Sequence, residues 1–412
     1  MSGALEELEK RGFIQQCSDL EGLRETMKNE VVSFYVGVDP TARSLHIGHM
    51  VPFYALAHIQ RYGHRPILVV GGGTGMIGDP SGKTEMRKIL SIEEIRRNEE
   101  GIKYGASKLI DFSEGKALMV NNYDWLGDLN YIEFLRDIGR HFSVNRMLSF
   151  EAYKQRLEKG LSFIEFNYML LQSYDFLILK RQYDCKVQVG GDDQWGNILS
   201  GVELIRRMDG NEAYALTFPL VTRSDGKKMG KSERGAIFLD PELCSPYEFY
   251  QYWRNVNDAD VIRFLKMFTF LDFEEIDELA KLEGQDINKA KERLAYEQTV
   301  LIHGEEEARK AVEASMAAFA GEGESNNRDA IPSLELSADK LKDGINVLDL
   351  FAMTSLCSSK GEARRLVTQG GARVNDEKIE DIEAAIDGSK AEDGELLLRA
   401  GKKRYFRIIV KE

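Results

Sequence analysis

The sequence has no long hydrophobic run and few cysteines, and each of these features excludes a class of protein. No apolar stretch in the 412 residues approaches the roughly 20 residues that a membrane-spanning helix needs, so no membrane partner is expected. Residues 1–30 have neither the apolar segment of a signal peptide nor the Arg-rich character of a transit peptide, which predicts a cytoplasmic location. The four cysteines form no paired motif, which argues against a disulfide framework and against a cysteine zinc site.

The pattern of apolar residues predicts an α/β protein with more than one domain. From about residue 31 to 240, short apolar runs such as "FYVGV" and "PILVVGG" alternate with helical patterns, which is typical of a doubly wound parallel sheet. Strand signals then disappear, and a polar segment broken by glycine and proline follows. We therefore expect an α/β domain at 1–240, a helical domain at 241–320, a linker at 321–344 and a small α+β domain at 345–412.

Positive charge is scarce overall but concentrated at the C-terminal end. The net charge of −13 would discourage a nucleic-acid partner if it were spread evenly. The last 16 residues, however, contain six basic side chains and a single acid, Glu412. Such a patch fits a phosphate-rich partner held at one end of the molecule, although a solvated tail would give the same composition.

Two of the six histidines stand three residues apart in "SLHIGHM", residues 44–50. A buried strand is predicted upstream, ending near Gly37, and a helical pattern follows, so His46 and His49 lie at a strand-to-helix junction. In an open α/β sheet, ligands bind at such junctions, and unpaired N–H groups at the helix start favour phosphate. The pair therefore predicts contact with a polyphosphate, against the alternative of two ordinary surface histidines.

The glycine-rich run "GGGTGMIGDPSGKT", residues 71–84, resembles two phosphate motifs and satisfies neither. Its G-x-G-x-x-G match is followed by Asp79-Pro80, where a dinucleotide-binding motif requires an uninterrupted helix. Its "GDPSGKT" segment has Ile77 where a P-loop requires glycine. A third motif, "KKMGKS" at 227–232, combines glycines with clustered bases and predicts a basic loop.

The paired motifs "HIGH" at 46–49 and "KMGKS" at 228–232 resemble the signature of class I aminoacyl-tRNA synthetases, whose Rossmann-like domain binds ATP between them. The segments "GDPSGK", "NNYDWLG", "FNYMLLQSYDF" and "GGDDQWGN" narrow the resemblance to the bacterial tyrosyl enzymes. The closing "SSKGEARRLVTQGGARVN" resembles the small RNA-binding domain that this family shares with a ribosomal small-subunit protein. The resemblance implies a tyrosine–tRNA ligase, with tRNA(Tyr), L-tyrosine and ATP as partners.

One helix gives independent support for a pocket with polar groups. Tyr168, Gln172 and Asp175 stand at i, i+4 and i+7, on one stripe of a helix whose other sides are mostly apolar. A buried carboxylate needs a partner, and a ligand hydroxyl would serve. The stripe is therefore expected to face a cavity.

The resemblance assigns a role to each candidate site residue. Tyr35 and Asp175 would bind the phenol hydroxyl of tyrosine, Asp79, Tyr168 and Gln172 its ammonium group, and Gln188 and Gln194 the region where its carboxylate meets the α-phosphate. The expected ATP contacts are Gly37, Asp39, Thr41, His46, Gly48, His49, Gly191, Asp193 and Lys231. Lys83, Arg87, Lys228, Lys231 and Ser232 would neutralise the departing pyrophosphate.

Mg²⁺ is expected to accompany ATP, without a tightly bound metal site in the protein. The implied RNA contacts are Lys360, Arg364, Arg365, Arg373 and Lys403. The segment 130–147 resembles the family's dimer-forming insertion and predicts a homodimer, although its apolar residues would also suit a monomer's core.

The sequence departs from the family at two positions. Val36 stands where many relatives have a cysteine that contacts the ribose, and Asp192 stands where they commonly have serine. The first places one ribose contact in doubt, and the second adds a carboxylate beside Asp193 that would alter ribose or Mg²⁺ binding.

Three alternatives stay open from the residues alone. The related tryptophanyl enzymes share both signature motifs, but Tyr35 and Asp175 do not suit an indole pocket. A small-molecule nucleotidyltransferase would normally be shorter. An RNA-binding relative without catalytic activity would not need the intact histidine and lysine motifs.

Overall fold

The computed structural model describes residues 3–81, 90–226, 229–232, 235–319, 331–342, 344–401 and 404–411. For Gln155, Lys231, Ser232 and residues 317–319 it describes the backbone only.

The chain alternates strands and helices up to residue 218 and is mainly helical from there to residue 319. The elements of this part are α1 (Ala4–Arg11), β1 (Gln16–Cys17), α2 (Leu20–Asn29), β2 (Ser33–Val38), α3 (Met50–Arg61), β3 (Arg65–Val70), α4 (Ile92–Ala106), β4 (Leu118–Asn121), α5 (Tyr123–Leu126), α6 (Tyr131–Asp137), α7 (Val144–Ser149), α8 (Glu151–Leu157), α9 (Phe163–Tyr183), β5 (Cys185–Gly191), α10 (Trp195–Asp209), β6 (Tyr214–Phe218), β7 (Lys231–Ser232), β8 (Gly235–Ala236), α11 (Pro246–Arg254), α12 (Asp258–Phe268), α13 (Phe273–Leu279), α14 (Ile287–His303) and α15 (Glu305–Phe319).

The C-terminal part is rich in short strands. Its elements are β9 (Ser333–Ser337), α16 (Ala338–Lys342), β10 (Ile345–Asn346), α17 (Val347–Ala352), α18 (Lys360–Thr368), β11 (Ala372–Val374), β12 (Glu377–Lys378), β13 (Ala385–Ile386), β14 (Glu395–Ala400) and β15 (Arg404–Lys411).

The main sheet has the strand order β1-β6-β5-β2-β3-β4. All neighbours in it are parallel except β1, which pairs antiparallel with β6. The chain moves outward from β2 through β3 to β4 on one side, and from β5 to β6 on the other. The order therefore reverses between β2 and β5, which is where α/β sheets of this kind bind ligands. This confirms the α/β prediction.

Local sequence sets the helix boundaries on both sides of the site. At the start of α4, the Ser91 hydroxyl accepts from the Glu94 N–H and the Glu94 carboxylate accepts from the Ser91 N–H, which forms a capping box. Ser162 and Glu165 form the same box at the start of α9. Helix α9 ends at Asp184, which adopts a left-handed conformation with φ 48°.

The chain divides into two compact units. One comprises Met1–Cys244 with Asn255–Ile302, and the other comprises Ser245–Arg254 with His303–Glu412. The predicted boundaries placed residues 241–320 in a helical domain of their own, whereas here α12 and most of α14 group with the sheet. Buried Arg11 of α1 contributes to this, since its guanidinium donates to the carbonyls of Lys266, Thr269 and Leu271 around the end of α12.

The second unit contains a sheet of order β12-β11-β14-β15-β9, in which β9 runs parallel to β15. Its core includes Leu348 and Phe351 of α17, Leu396 and Leu398 of β14, and Ile408 of β15. Two helices and several short strands were predicted for this segment, and α17, α18 and β11–β15 are those elements.

Candidate active site

Polar residues of the candidate site follow the carboxyl ends of four neighbouring strands. The loop with Asp39, Thr41 and His46 follows β2, the glycine-rich run follows β3, and Asn122 follows β4. Residues 192–194 form a 3-10 turn directly after β5. Because the strands are parallel, all four loops lie at one edge of the sheet, on either side of the point where the strand order reverses.

Asp175 is a buried carboxylate held by two donors. Trp125 Nε1 donates to its Oδ1 at 2.7 Å, and Asn122 Nδ2 donates to its Oδ2 at 2.9 Å. Burial raises the pKa of Asp175 to about 7, and the negative charge of Asp39 adds to the rise, while the two donors oppose it. The carboxylate therefore changes charge near neutral pH and can accept a further hydrogen bond.

Tyr35 lies beside Asp175 with its hydroxyl buried. Its ring packs against Phe176 at 5.3 Å between centroids, and its hydroxyl has no hydrogen-bond partner among the described residues. Burial raises the pKa of Tyr35 well above 10, as does the neighbouring Asp175. Gln188 pairs with Tyr35 across β2 and β5, and its Oε1 is likewise buried without a described partner. Buried polar groups without partners at a ligand edge indicate a place where a ligand group bonds.

A chain of hydrogen bonds links Asp175 to the loop after β2. Asn122 Nδ2 also donates to Thr74 Oγ1 at 2.8 Å, and Thr74 Oγ1 donates to Asp39 Oδ1 at 2.7 Å. The Tyr168 hydroxyl donates to Asp39 Oδ2 at 2.9 Å. Asn122 and Thr74 are 1% and 3% exposed, so the chain is shielded from water along most of its length.

A second polar group surrounds Asp79. Gln194 Nε2 donates to Asp79 Oδ2 at 2.7 Å, and the Ser81 N–H donates to Asp79 Oδ1 at 2.9 Å. Asn197 Nδ2 lies within 3.1 Å of Gln172 Oε1 and 3.2 Å of Gln194 Oε1. The predicted ammonium contacts Asp79 and Gln172 thus meet in one cluster, whereas the described bond of the Tyr168 hydroxyl goes to Asp39, in the chain that leads to Asp175.

The histidine motif is half exposed and tightly ordered by its own backbone. His46 Nδ1 accepts from the Gly48 N–H at 3.0 Å, and His49 Nδ1 accepts from the His46 N–H at 3.2 Å. The two rings stack at 3.8 Å between centroids. Because each Nδ1 is an acceptor, a neutral ring carries its proton on Nε2, which is then a donor.

The backbone of the histidine motif forms hydrogen bonds with residues 237–239, which follow the basic loop in the sequence. The Ile47 N–H donates to the Ile237 carbonyl at 3.0 Å, and the Leu239 N–H donates to the Leu45 carbonyl at 2.9 Å. Gly230 has φ 79°, and a Cβ at this position would lie 2.6 Å from the Gly48 nitrogen. The structure thus brings the backbones of the two signature motifs together.

The two departures from the family have different surroundings. Asp192 Oδ1 accepts from Gln16 Nε2 at 2.6 Å and from Thr217 Oγ1 at 3.2 Å, so this carboxylate bonds to β1 and β6. Val36 is a buried strand residue. Asp193 lies next to Gly191, where an added Cβ would come within 2.7 Å of the Asp193 carboxylate.

Several predicted residues lie elsewhere or are not described. Lys83, Arg87, Lys228 and Lys403 lie outside the described residues, and Lys231 and Ser232 are described by their backbone alone. In the second unit, Arg364 and Arg365 are exposed on α18, Lys360 pairs with Asp349, and Arg373 donates to the Asp376 carbonyl at 2.7 Å.

Four site residues were missed by the sequence analysis. Asn122, Trp125, Thr74 and Asn197 bond to predicted residues but were given no role. The segment "NNYDWLG" contains two of them and was quoted only for its resemblance. Thr74 lies inside the glycine-rich run, which resembles two phosphate motifs and satisfies neither.

Among the described residues, no cluster of three His, Cys, Asp or Glu side chains has the arrangement to bind a metal ion. Within the same residues, no helix is both long and apolar enough to cross a membrane.

Two family models together match most of the chain. Residues 27–320 match the class I tRNA synthetases of the W and Y type, and residues 324–408 match the C-terminal domain of SYY-like tyrosine–tRNA ligases.

Curated relatives match over nearly the full length. The chain is 59% identical over 410 residues to the tyrosine–tRNA ligase of Treponema denticola, covering 99% of this chain and 100% of the relative. It is 55% identical over 408 residues to the tyrosine–tRNA ligase of Acetivibrio thermocellus, covering 99% of both chains.

Among solved structures, a C-terminally truncated mitochondrial tyrosyl-tRNA synthetase of Aspergillus nidulans superposes with a TM-score of 0.67 at 33% identity, covering 75% of this chain and 92% of that one. A tryptophanyl-tRNA synthetase of Plasmodium falciparum superposes with a TM-score of 0.56 at 15% identity, covering 74% and 84%. The second likeness concerns the fold alone.

Proposed function

The chain belongs to the tyrosine–tRNA ligase family and activates L-tyrosine with ATP before transferring it to tRNA(Tyr), and we propose how its own residues divide this work. In the first step, the tyrosine carboxylate attacks the α-phosphate, which gives tyrosyl-adenylate and releases pyrophosphate. In the second step, a ribose hydroxyl at the end of the tRNA attacks the tyrosyl carbonyl carbon, which forms an ester and releases AMP. The substrate supplies the nucleophile, so the protein must position it and stabilise charge on the phosphates.

The observation that carries the tyrosine assignment is the buried pair of Tyr35 and Asp175. A phenol hydroxyl placed between them would donate to the Asp175 carboxylate and accept from the Tyr35 hydroxyl, which has no described partner. Phenylalanine would leave both groups buried without that bond, which costs binding energy. Asn122 and Trp125 hold the carboxylate in place for this contact.

The ammonium group of tyrosine is proposed to bind at the Asp79 cluster. Asp79 and Gln172 Oε1 supply acceptors, and Gln194 bonds to both residues. Tyr168 is proposed as the third ammonium contact, and its hydroxyl also donates to Asp39 in the loop after β2. Gln188 lies deeper than predicted, in register with Tyr35, which suits contact with the tyrosine side chain rather than with the α-phosphate.

The nucleotide is proposed to lie along the loop after β2 and the turn after β5. His46 and His49 would donate from Nε2 to phosphate or ribose oxygens, with Thr41 and the Gly48 backbone beside them. Gly37, Asp39, Gly191 and Asp193 complete this side by the same reasoning from family motif and position. Mg²⁺ is proposed to arrive with ATP as the counterion of its phosphates.

Pyrophosphate departure is assigned to the basic residues Lys83, Arg87, Lys228 and Lys231, together with Ser232. The backbone of the second motif lies next to the first at Gly230 and Gly48, which supports a role for the second motif at the phosphates. Groups that meet the phosphates mainly in the transition state raise the rate more than the affinity.

The assembly and RNA contacts are also proposals. Helices α6 and α7 carry exposed apolar side chains, with Tyr131 56%, Ile132 70% and Val144 55% exposed, which supports a homodimer through this surface. Lys360, Arg364, Arg365, Arg373 and Lys403 are proposed to contact tRNA. They belong to the C-terminal part of the chain, whose sheet already includes β9 within the predicted linker 321–344. A cytoplasmic location remains a prediction from the sequence.

The test is exchange of labelled pyrophosphate into ATP, measured with tyrosine, tryptophan and phenylalanine in turn. We expect exchange with tyrosine and at most a trace with the other two. Exchange with tryptophan at a comparable rate would overturn the assignment of Tyr35 and Asp175. Exchange with none of the three would contradict the proposed activation step.

A further inference from the structure

Helix α4 lies directly behind the loop that leads into the histidine motif. Asn98, Gly101 and Gly105 stand at i, i+3 and i+7 and share one face of α4. That face meets the loop at Pro40, Arg43 and Leu45. None of the α4 residues is assigned a role in the proposed function.

Asn98 makes the one side-chain hydrogen bond described across this contact. Its Nδ2 donates to the Pro40 carbonyl at 2.9 Å, and Asn98 is 8% exposed, so the bond is shielded from water. The carbonyl belongs to the peptide that joins Pro40 to Thr41. Fixing this peptide therefore fixes the orientation of the Thr41 N–H, which donates to the Asp39 carbonyl at 2.8 Å in a tight turn.

The glycines bring the helix close enough for this bond to form. A Cβ at Gly101 would lie 1.6 Å from the Arg43 carbonyl oxygen and 2.7 Å from its carbon. A Cβ at Gly105 would lie 3.0 Å from the Leu45 side chain. A side chain at Gly101 would push the loop away from α4, because the atoms it meets are backbone.

Helix α4 also contacts the segment that donates two hydrogen bonds to Asp175. Glu99 Oε1 accepts from Asn121 Nδ2 at 2.9 Å, and Asn121 immediately precedes Asn122. Asn98 and Glu99 are neighbours on α4, so one rigid element contacts both the nucleotide loop and the tyrosine pocket. The two contacts are separable because they use different side chains.

We propose that Asn98 is a positioning residue for the nucleotide half of the active site. It does not touch substrate, and it acts by holding the Pro40–Thr41 peptide so that Asp39, Thr41 and the histidine motif meet the ATP phosphates in the reactive geometry. The inference rests on the proposed nucleotide assignment. A displacement of this loop by a fraction of an ångström is expected to reduce the rate. The tyrosine pocket should change much less, because Asn122 and Trp125 hold Asp175 from a different segment of the chain.

The experiment is single-turnover formation of tyrosyl-adenylate by the full chain, with Asn98→Ala compared with the unaltered protein. We expect the rate constant divided by the dissociation constant for ATP to fall about tenfold. A fall of this size corresponds to the loss of one buried hydrogen bond. The dissociation constant for tyrosine should change less than twofold. A merely structural role would instead weaken tyrosine and ATP binding alike, together with the thermal midpoint, and would overturn the proposal.

Two further variants keep the test decisive. Asn98→Ser removes the amide with a smaller packing change. If Asn98→Ala does not fold, Asn98→Ser should likewise impair the rate and ATP binding while tyrosine binding stays nearly unchanged. Glu100→Ala, on the exposed side of α4 where Glu100 pairs with Lys103 at 2.8 Å, is the matched control and should leave all three constants unchanged. No change in either Asn98 variant would overturn the proposal.

A reference variant separates this inference from the function on which it rests. His46→Asn should slow adenylate formation if the histidine motif binds ATP as proposed. If His46→Asn is slow and the Asn98 variants are normal, only the role of Asn98 is wrong. If His46→Asn has no effect, the nucleotide assignment itself is wrong.

Discussion

The tyrosine end and the nucleotide end of the site differ in burial and in how their polar groups are held. Tyr35, Asn122 and Asp175 are at most 4% exposed, and Asp175 is fixed by two donors. At the nucleotide end, Thr41 and Gly48 are exposed, and the His46 ring is held by the backbone N–H of its own motif. One end is a shielded, preassembled pocket, and the other is an open edge.

The difference indicates a division of labour. A shielded pocket penalises any ligand that leaves a buried polar group without a partner, so this end determines which amino acid binds. An open edge lets charged groups approach the phosphates as charge develops on them, so it accelerates. Selection and rate should therefore respond to different substitutions, and the predictions below test this separation.

The largest expected effect is on the rate, from Lys231→Ala. Loss of a charge that stabilises the departing pyrophosphate should slow adenylate formation by roughly 10²–10³, which is typical for one electrostatic stabiliser. The dissociation constant for tyrosine should stay within twofold. Rapid-quench measurements give both quantities, and Lys289→Ala, whose lysine is 68% exposed and pairs with Asp286, is the matched control. An unchanged single-turnover rate would remove Lys231 from the mechanism.

The next effect is on selection, from Tyr35→Phe. Removing the buried hydroxyl should reduce the preference for tyrosine over phenylalanine about tenfold, since one of two groups that bond the substrate hydroxyl is lost. This family is itself an established example of selection through buried polar groups, so the direction is expected and only the share of Tyr35 is new. Tyr214→Phe, whose hydroxyl meets Thr26 at 3.1 Å away from the pocket, should leave the ratio unchanged. If Tyr35→Phe keeps the original preference for tyrosine over phenylalanine, the substrate hydroxyl is recognised by Asp175 alone.

A smaller effect is expected in the pH dependence of tyrosine binding, from Trp125→Phe. Burial raises the pKa of Asp175 to about 7, so the accepting carboxylate form increases as the pH rises through 7 and tyrosine affinity should rise with it. Loss of the Trp125 donor should raise this pKa further and move the midpoint to higher pH. Titration calorimetry between pH 6 and pH 9 measures the midpoint. A midpoint that moves to lower pH would contradict the assignment of the titration to Asp175.

The smallest effect concerns stability away from the site. Burial lowers the pKa of His58 to about 3, and the nearby Arg11 and Arg61 contribute, whereas Glu7 Oε1 lies 3.9 Å from its Nδ1. The unfolded chain therefore binds a proton on His58 between about pH 6.5 and pH 3 that the folded chain does not, and stability falls as the pH falls through this window. His58→Gln should make the unfolding free energy less dependent on pH there, by up to one proton. Denaturant titrations at pH 4.5 and pH 7 measure the unfolding free energy at each pH. The same difference between the two values in His58→Gln and in the unaltered protein would contradict the prediction.

Much of the fold followed from sequence patterns because the central strands are buried on both faces. The apolar runs "FYVGV" and "PILVVGG", which predict β2 and β3, are continuous, as expected for a parallel sheet covered by helices. Strand β4 was not predicted, since its four residues are only partly buried and follow a polar segment. Strand β1 has two residues and is too short to show a pattern.

The site was partly predictable for a similar reason. Tyr168, Gln172 and Asp175 share a helical stripe, which a sequence displays. The partners of Asp175 could not be predicted in this way, because Trp125 and Asn122 belong to a segment 50 or more residues away in the chain. The contact between Asn98 and Pro40 joins residues 58 positions apart, and no sequence pattern pairs the two. Such contacts depend on the packing of whole elements.

The most direct test of the division between the two ends is single-turnover adenylate formation with tyrosine and with phenylalanine, in the unaltered protein, Tyr35→Phe and Lys231→Ala. The account predicts that Tyr35→Phe changes the ratio between the two amino acids while the maximal rate with tyrosine falls much less. It predicts that Lys231→Ala lowers both rates by the same factor and leaves the ratio intact. If each variant changed rate and ratio together, the buried pocket and the open edge would not act separately, and the account would be wrong.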